Sequence, residues 1–191
     1  MAKSFGIAKL KNNNMNEKII GLKRKKVKLI SYRPEWKKLY KKEKNLLLKT
    51  LGKNILDIQH VGSTSISGIK SKPIIDIAVG IKSLKIGKKF IVPLKKLNYE
   101  YRGNAGVKGR LFFAKGSRKN RTYYLHVEKI NSKNWKNHII FRDYLRSHKK
   151  AIKKAIKEYN KLKEKLAKKF KDDRDQYTAK KEFLIRKIIN K

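Results

Sequence analysis

His60-Val61-Gly62-Ser63-Thr64-Ser65-Ile66-Ser67-Gly68, followed by Lys72-Pro73-Ile74-Ile75-Asp76-Ile77-Ala78-Val79, decides how this chain folds. It reads as a strand, a turn of small residues, and a second strand carrying one carboxylate. A turn of Gly and Ser leaves backbone N–H groups and hydroxyls uncovered, which suits an anion such as phosphate. An acid at a nearby strand end can hold the divalent cation that accompanies that phosphate. The competing reading is a loop with helix-capping serines and a structural aspartate.

Working outward, Ile55 to Val61 reads as a strand and Pro73 to Ile81 as a mostly buried one. Upstream, Val27 to Ile30 alternates loosely, as a short strand would. Pro34 suits the first turn of a helix whose apolar face is Trp36, Leu39, Tyr40, Leu47 and Leu51, with Gly52 ending it. Ser83 to Leu97 reads as helical with an interruption or kink at Pro93. Three aromatic and β-branched runs follow: Tyr99–Arg102, Arg110–Ala114 and Thr122–Glu128. Glycines 103, 106, 109 and 116 separate them, which predicts an antiparallel meander. From Asn134 the chain turns helical. Ile152, Ala155, Ile156, Tyr159, Leu162, Leu166 and Phe170 form one apolar stripe, and a last helix runs from about Gln176 to Ile189 with Phe183, Leu184 and Ile188 inward. The expected fold class is α+β: a small mixed sheet flanked by helices, with a helical C-terminal portion. Residues 1–26, with Asn12-Asn13-Asn14 and Lys23-Arg24-Lys25-Lys26, read as a flexible basic arm, and 27–191 as one domain.

The chain has 191 residues, enough for one domain with a real core. Cysteine is absent, so thiolate metal sites and disulfides are excluded, which fits a reducing cytoplasm. No apolar run reaches membrane-spanning length, and no secretory leader is expected. The charge is extreme, 54 Lys+Arg against 14 Asp+Glu, or a formal +40. Such a surface attracts polyanions, nucleic acid included. The basic residues are spread over nearly every segment, and Lys far outnumbers Arg, whereas specific phosphate recognition leans on Arg. Abundant Lys, Asn and Ile point to compositional drift slightly more than to selection for a nucleic-acid partner.

HVGSTSISGIKSKPIIDIAV resembles the signature of the GrpB family, also called UPF0157. Four further segments are similar to the family's in the same order. They are Gly109-Arg110 with Phe112-Phe113, Arg121 to Val127 (RTYYLHV), Phe141 to His148 (FRDYLRSH), and Asp173-Arg174 with Tyr177 and Lys181. The resemblance covers about Val27 to Ile189. It implies a nucleotidyltransferase-like fold, and hence a nucleoside triphosphate or related phosphorylated ligand, with nucleotidyl transfer to a small acceptor as the possible reaction.

In that superfamily a Gly-Ser turn binds the triphosphate, and a strand supplies two metal-binding acids one residue apart. By that analogy Gly62, Ser63, Thr64 and Ser65 would cradle phosphate, and Asp76 would be the first acid. The second position is Ala78, which cannot bind a metal. The third falls near Leu125 to Glu128, where the strand offers His126, with Glu128 on the same face. Asp76, His126 and Glu128 could hold one divalent cation, and this ligand set suits zinc or a transition metal better than magnesium. Either the chemistry differs from ordinary nucleotidyl transfer, with Asp76 and His126 as the catalytic pair, or the site only binds, serving RNA or another anionic partner.

Lys72, Arg110 and Arg121 are candidate phosphate clamps, since Arg grips two oxygens at once and Lys adds a point charge. Lys72 and Arg121 are equally readable as solvated basic residues, whereas Arg110 is the stronger candidate because it follows Gly-rich backbone at a strand start. His138, Arg142 and Arg146 share a helix face; Arg142 or Arg146 meets a phosphate, or pairs with Asp143 to tie helix to sheet. Tyr177 and Lys181 close the cleft or simply pack. His60 is expected to orient the turn through a hydrogen bond, and His148 to sit at a helix end. Walker-type and dinucleotide-binding glycine fingerprints are missing from the sequence.

Overall fold

A computed structural model describes residues 19–147 and 149–189; the side chains of 149–152, 183, 184 and 187–189 lie outside the description. The elements are α1 (Glu35–Leu51), β1 (Asp57–Val61), β2 (Ile75–Ile81), α2 (Leu84–Lys88), α3 (Ile91–Lys96), β3 (Tyr99–Tyr101), β4 (Arg110–Ser117), β5 (Asn120–Lys129), α4 (Lys133–Ser147), α5 (Lys149–Lys169) and α6 (Arg174–Ile189). The strands form one sheet in the order β1-β2-β5-β4-β3. Only the β2–β5 pair is parallel; β1–β2, β5–β4 and β4–β3 are antiparallel. The expected mixed sheet and its meander are therefore present, and the fold is α+β.

Strand alternation sorts the residues between two faces. One face carries Ile58, Ile75, Ile77, Val79, Ile81, Leu111, Phe113, Tyr123, Leu125 and Val127. They join Trp36, Leu39, Leu47, Leu51, Phe90 and Leu94 in the main core. The helical spacing read for α1 is what aims Trp36, Leu39, Leu47 and Leu51 at that face. Within this core Glu43 is 5% exposed, and its carboxylate takes Lys115 Nζ at 2.8 and 3.0 Å and the Tyr99 hydroxyl at 3.0 Å. The opposite face carries Asp76, Ala78, Gly80, Tyr124, His126, Glu128, Arg110 and Phe112, and the C-terminal helices cover it. Trp135 of α4 closes on Val61 and Ala78 there.

Three expectations change. The break in the Ser83–Leu97 segment falls at Lys89–Phe90, and Pro93 stands in the first turn of α3. A proline ring collides with the carbonyl four residues back, here that of Lys89, so the helix divides before the proline rather than bending at it. The Val27–Ile30 strand shrinks to one bridge, Ile30 with Ser71. The boundary drawn at Lys26 falls inside a docked segment: Ile20 and Leu22 are buried, and Leu22 pairs with Arg121. Residues 1–18 of the basic arm, and His148, lie outside the described residues. No helix among the described residues is long and apolar enough to cross a membrane.

Candidate functional site

The site is built on the helix-covered face, where β1 hands over to β2. Gly62 leaves β1 with φ 68°, and a Cβ there would meet Asp76 Oδ2 at 2.7 Å. Glycine is needed for both reasons: an L side chain resists that backbone, and the turn lies against the carboxylate. Ser63–Ser65 then form one 3-10 turn. Its hydroxyls divide. Thr64 Oγ1 meets His60 Nε2 at 3.1 Å, and Ser65 Oγ donates to Gly62 O at 2.6 Å. Both serve the loop itself. Ser63 makes no side-chain hydrogen bond among the described residues and is half-buried. The first N–H groups of a helical turn also lack partners within it. Ser63 and the leading N–H groups are thus the part of the turn free to take an anion.

Asp76 and His126 meet, although they come from different strands. Their parallel register sets Ala78 opposite His126, one pleat along from Asp76, and His126 Nε2 lies 3.3 Å from Asp76 Oδ1. Arg110 lies 3.2 Å from the other ring nitrogen, Nδ1. A guanidinium only donates, so Nδ1 must accept; the remaining ring proton is then on Nε2 and points at Asp76. Burial lowers the His126 pKa, against the pull of Asp76, so the neutral ring is the form present. Burial alone would raise Asp76, but the bond to His126 and the fields of His126, Lys181 and Lys72 hold it below the usual value. Asp76 is therefore an ionised carboxylate with 31% of its side chain still open.

Around that open edge stand cations from three segments. Lys72 Nζ, just before β2, lies 5.0 Å from the centre of the Tyr177 ring. On α6, Arg174, Tyr177 and Lys181 are three and four apart, and so share one stripe. The Arg174 guanidinium lies over Tyr124, 5.1 Å from Cζ to ring centre. Its terminal nitrogens are buried without a hydrogen-bond partner of good geometry, as are the hydroxyls of Tyr177 and Tyr159. Lys163 of α5 is 2% exposed and donates to the Lys70 carbonyl. Lys72 and Lys163 are both driven well below the normal lysine pKa, first by burial. Arg174, Lys181 and Lys163 add to this for Lys72, and Lys181 does so for Lys163; Asp76 opposes it in both. Arg174, whose motif was read but whose side chain was not singled out, is part of this cluster, as is Lys163. The signal for Arg174 was available: it shares the α6 stripe with Tyr177 and Lys181.

Other expected residues serve elsewhere. Arg121 is 3% exposed; its guanidinium donates to Gly116 O at 2.7 Å and to Glu100. The β4–β5 register slips by one residue between Lys115 and Gly116, so the strand alternation is reset between His126 and Arg121. Arg121 spends its guanidinium on tying β5 to β4 and to Glu100 of β3 rather than on a phosphate beside Asp76. We expect Arg121→Leu to cost about 1–2 kcal/mol by leaving the Gly116 carbonyl without its donor, while Glu100 keeps Arg102 and solvent. Anion binding should stay unchanged; calorimetry and thermal melts on the same variant check both. Arg110 spends its guanidinium on Asn104 O (3.2 and 3.0 Å), Ala105 O (3.1 Å) and His126, so it positions the imidazole. Arg142 grips both oxygens of Asp143 and donates to Gln59 Oε1 at 2.7 Å, tying α4 to β1. Arg146 holds the Ser65 carbonyl at 2.7 and 3.2 Å, fixing the turn from behind. His60 stacks on Tyr40 with ring centres 4.8 Å apart, on the core side. Glu128 keeps company with His126 and His138 rather than with Asp76.

Comparison with known proteins agrees with this architecture. The family profile described as GrpB protein matches residues 26–191. The "Glutamate-rich protein GrpB" of Alkalihalophilus pseudofirmus is 38% identical over 90% of this chain and 99% of its own length. The "UPF0157 protein YqkA" of Bacillus subtilis is 35% identical over 85% of this chain, which spans only 46% of YqkA. The crystal structure of conserved protein GrpB from Enterococcus faecalis superposes with a TM-score of 0.77 at 31% identity, covering 85% of this chain and 95% of that one. By profile, by sequence and by fold, this chain belongs to the GrpB family.

Proposed function

We propose that the chain binds a nucleoside triphosphate or a related phosphorylated ligand at the edge of the sheet beside Asp76. The carrying observation is the set of cations Lys72, Lys163, Arg174 and Lys181 gathered around one carboxylate. Like charges crowded together are costly unless an anion offsets them, and the terminal nitrogens of Arg174, which lies over Tyr124, have no well-formed hydrogen bond among the described residues. Phosphate oxygens supply both the charge and the acceptors. Ser63 and the leading N–H groups of the turn would hold the next phosphate, and Asp76 the cation that accompanies it.

Binding is favoured over nucleotidyl transfer by position 78. Two-metal transfer needs a second carboxylate. Ala78 is fully buried against Val61 and Trp135 and offers no ligand atom. Recognition of RNA by the basic surface is the rival reading, supported by the +40 charge.

Calorimetric titration with pyrophosphate, ATP, GTP and CTP, with and without Mg²⁺, separates the two. At physiological salt we expect one saturable site, weakened at least tenfold by Lys72→Ala with Arg174→Ala. Removal of the exposed Lys41 and Lys42 should change nothing. Binding should also take up protons, since an anion raises the depressed pKa values of Lys72 and Lys163; the observed heat then varies with the buffer's ionisation enthalpy. Equal losses in both variants, with a steep fall in affinity as salt rises, would transfer the case to general polyanion binding.

A further inference from the structure

Glu128 is the least explained group in the molecule. It is 0% exposed, and neither carboxylate oxygen makes a hydrogen bond among the described residues. A buried carboxylate without donors is expensive to keep, and it usually marks a place for a charge of opposite sign. Two imidazoles stand beside it. His126 shares its strand face two residues away, and His138 reaches it from α4, with Nε2 3.4 Å from Glu128 Oε1. The rings of His126 and His138 are 4.9 Å apart, centre to centre. One ligand atom from each of the three residues falls within 4.8 Å of those from the other two.

We propose that His126, Glu128 and His138 form a site for a borderline-soft divalent cation of the zinc class, which adjoins the phosphate edge through the His126–Asp76 contact but draws none of its ligands from that edge. Four features support it. First, the donor set of two imidazoles and one carboxylate is the kind that zinc and its neighbours take, leaving a fourth position for water or ligand. Second, metal–ligand bonds of about 2.0–2.2 Å put tetrahedral ligand atoms about 3.4 Å apart. The His138–Glu128 separation matches that edge and is long for a hydrogen bond. Third, the Nε2–H of His126 is directed to Asp76 Oδ1, the carboxylate partner that fixes ring and tautomer in many metal-bound histidines. Fourth, the His138 side chain is 26% exposed, so an ion has a way in.

Arg110 bears on the electronics. The neutral His126 ring has one lone pair, and Arg110 now caps it. The guanidinium has further contacts on the carbonyls of Asn104 and Ala105, so it can surrender that single N–H and stay anchored. Arg110 faces Glu128 across the β4–β5 ladder, and its positive field acts on that carboxylate. An arriving cation takes over that role.

The test is titration of the chelator-treated full chain with Zn²⁺ by calorimetry and with Co²⁺ by visible absorption. We expect one equivalent to bind, with the intense absorption of a four- or five-coordinate cobalt centre. Glu128→Gln and His138→Gln should each weaken binding at least tenfold, and His60→Gln should leave it unchanged. Glu128→Gln is isosteric and removes a buried charge, so its fold should survive. Its melting temperature without metal should equal or exceed that of the parent, while the rise on adding Zn²⁺ disappears. The Lys72→Ala, Arg174→Ala variant should keep the metal site, which makes failure here distinguishable from failure of the phosphate reading. Lack of stoichiometric binding, or affinity unaltered in both Glu128→Gln and His138→Gln, would overturn the proposal.

Discussion

Acidification should unfold this protein through His60 before its surface charge alone would do so. Burial lowers the His60 pKa from 6.5 to about 3, aided by Arg146 and Arg142 and opposed by Asp76. Between those two values the unfolded chain binds a proton that the native ring refuses. The unfolded state then holds more protons, so stability falls as pH falls through that window. Each unit is worth about 1.4 kcal/mol, so the loss approaches roughly 4 kcal/mol by pH 3, a large part of a typical domain's stability. His126 adds a loss of the same sign. The ring cannot escape easily: it is 7% exposed, stacked on Tyr40 and bonded to Thr64. Denaturant melts of wild type and His60→Gln at pH 7, 5 and 4 measure it. The wild type should lose stability much faster than the variant, and parallel curves would show that the imidazole is not the acid-sensitive group.

Gly62→Ala should have the second largest effect, on stability and on the site together. A φ of 68° costs an alanine about 1–2 kcal/mol, and the new Cβ would press on Asp76 Oδ2 at 2.7 Å, with its Cβ and Cγ at 3.1 and 3.2 Å. That carboxylate must then turn away, abandoning His126 or the cation edge. We expect about 3 kcal/mol of destabilisation and at least a tenfold loss of pyrophosphate affinity. Gly103→Ala is the control, since Gly103 has φ 62° and open space around a Cβ. It shares the positive φ without the collision, and should cost less and leave binding intact. If the two variants melt and bind alike, the close approach of turn to carboxylate has no consequence.

Much of the site was legible in strand parity alone. Asp76 and Ala78 share a face by spacing, and so do His126 and Glu128. The same rule fails for Arg121, because the register slip between Lys115 and Gly116 resets the alternation before it reaches that residue, and nothing local marks the slip. The apolar stripe of α1 fixed which helix covers the core. Pro93 announced a break, and the carbonyl it strikes moved that break to Lys89. The pairing of Arg142 with Asp143 was readable from their adjacent positions, but nothing local tells that Arg142 also reaches Gln59 or that Arg146 holds the Ser65 carbonyl. Those partners are 83 and 81 residues away for Gln59 and Ser65.

The sequence by itself determined the α+β class, the family and the turn-strand unit, because alternation, helical spacing and glycine positions act over a few residues. Only the tertiary structure decided the chemistry at the sheet. It set His126 against Asp76 through the β2–β5 register, brought His138 to Glu128, and folded α6 back so that Arg174 and Lys181 face Lys72. Each of those encounters joins segments far apart in the chain. Their geometry depends on how whole elements pack and twist, and no local pattern encodes it.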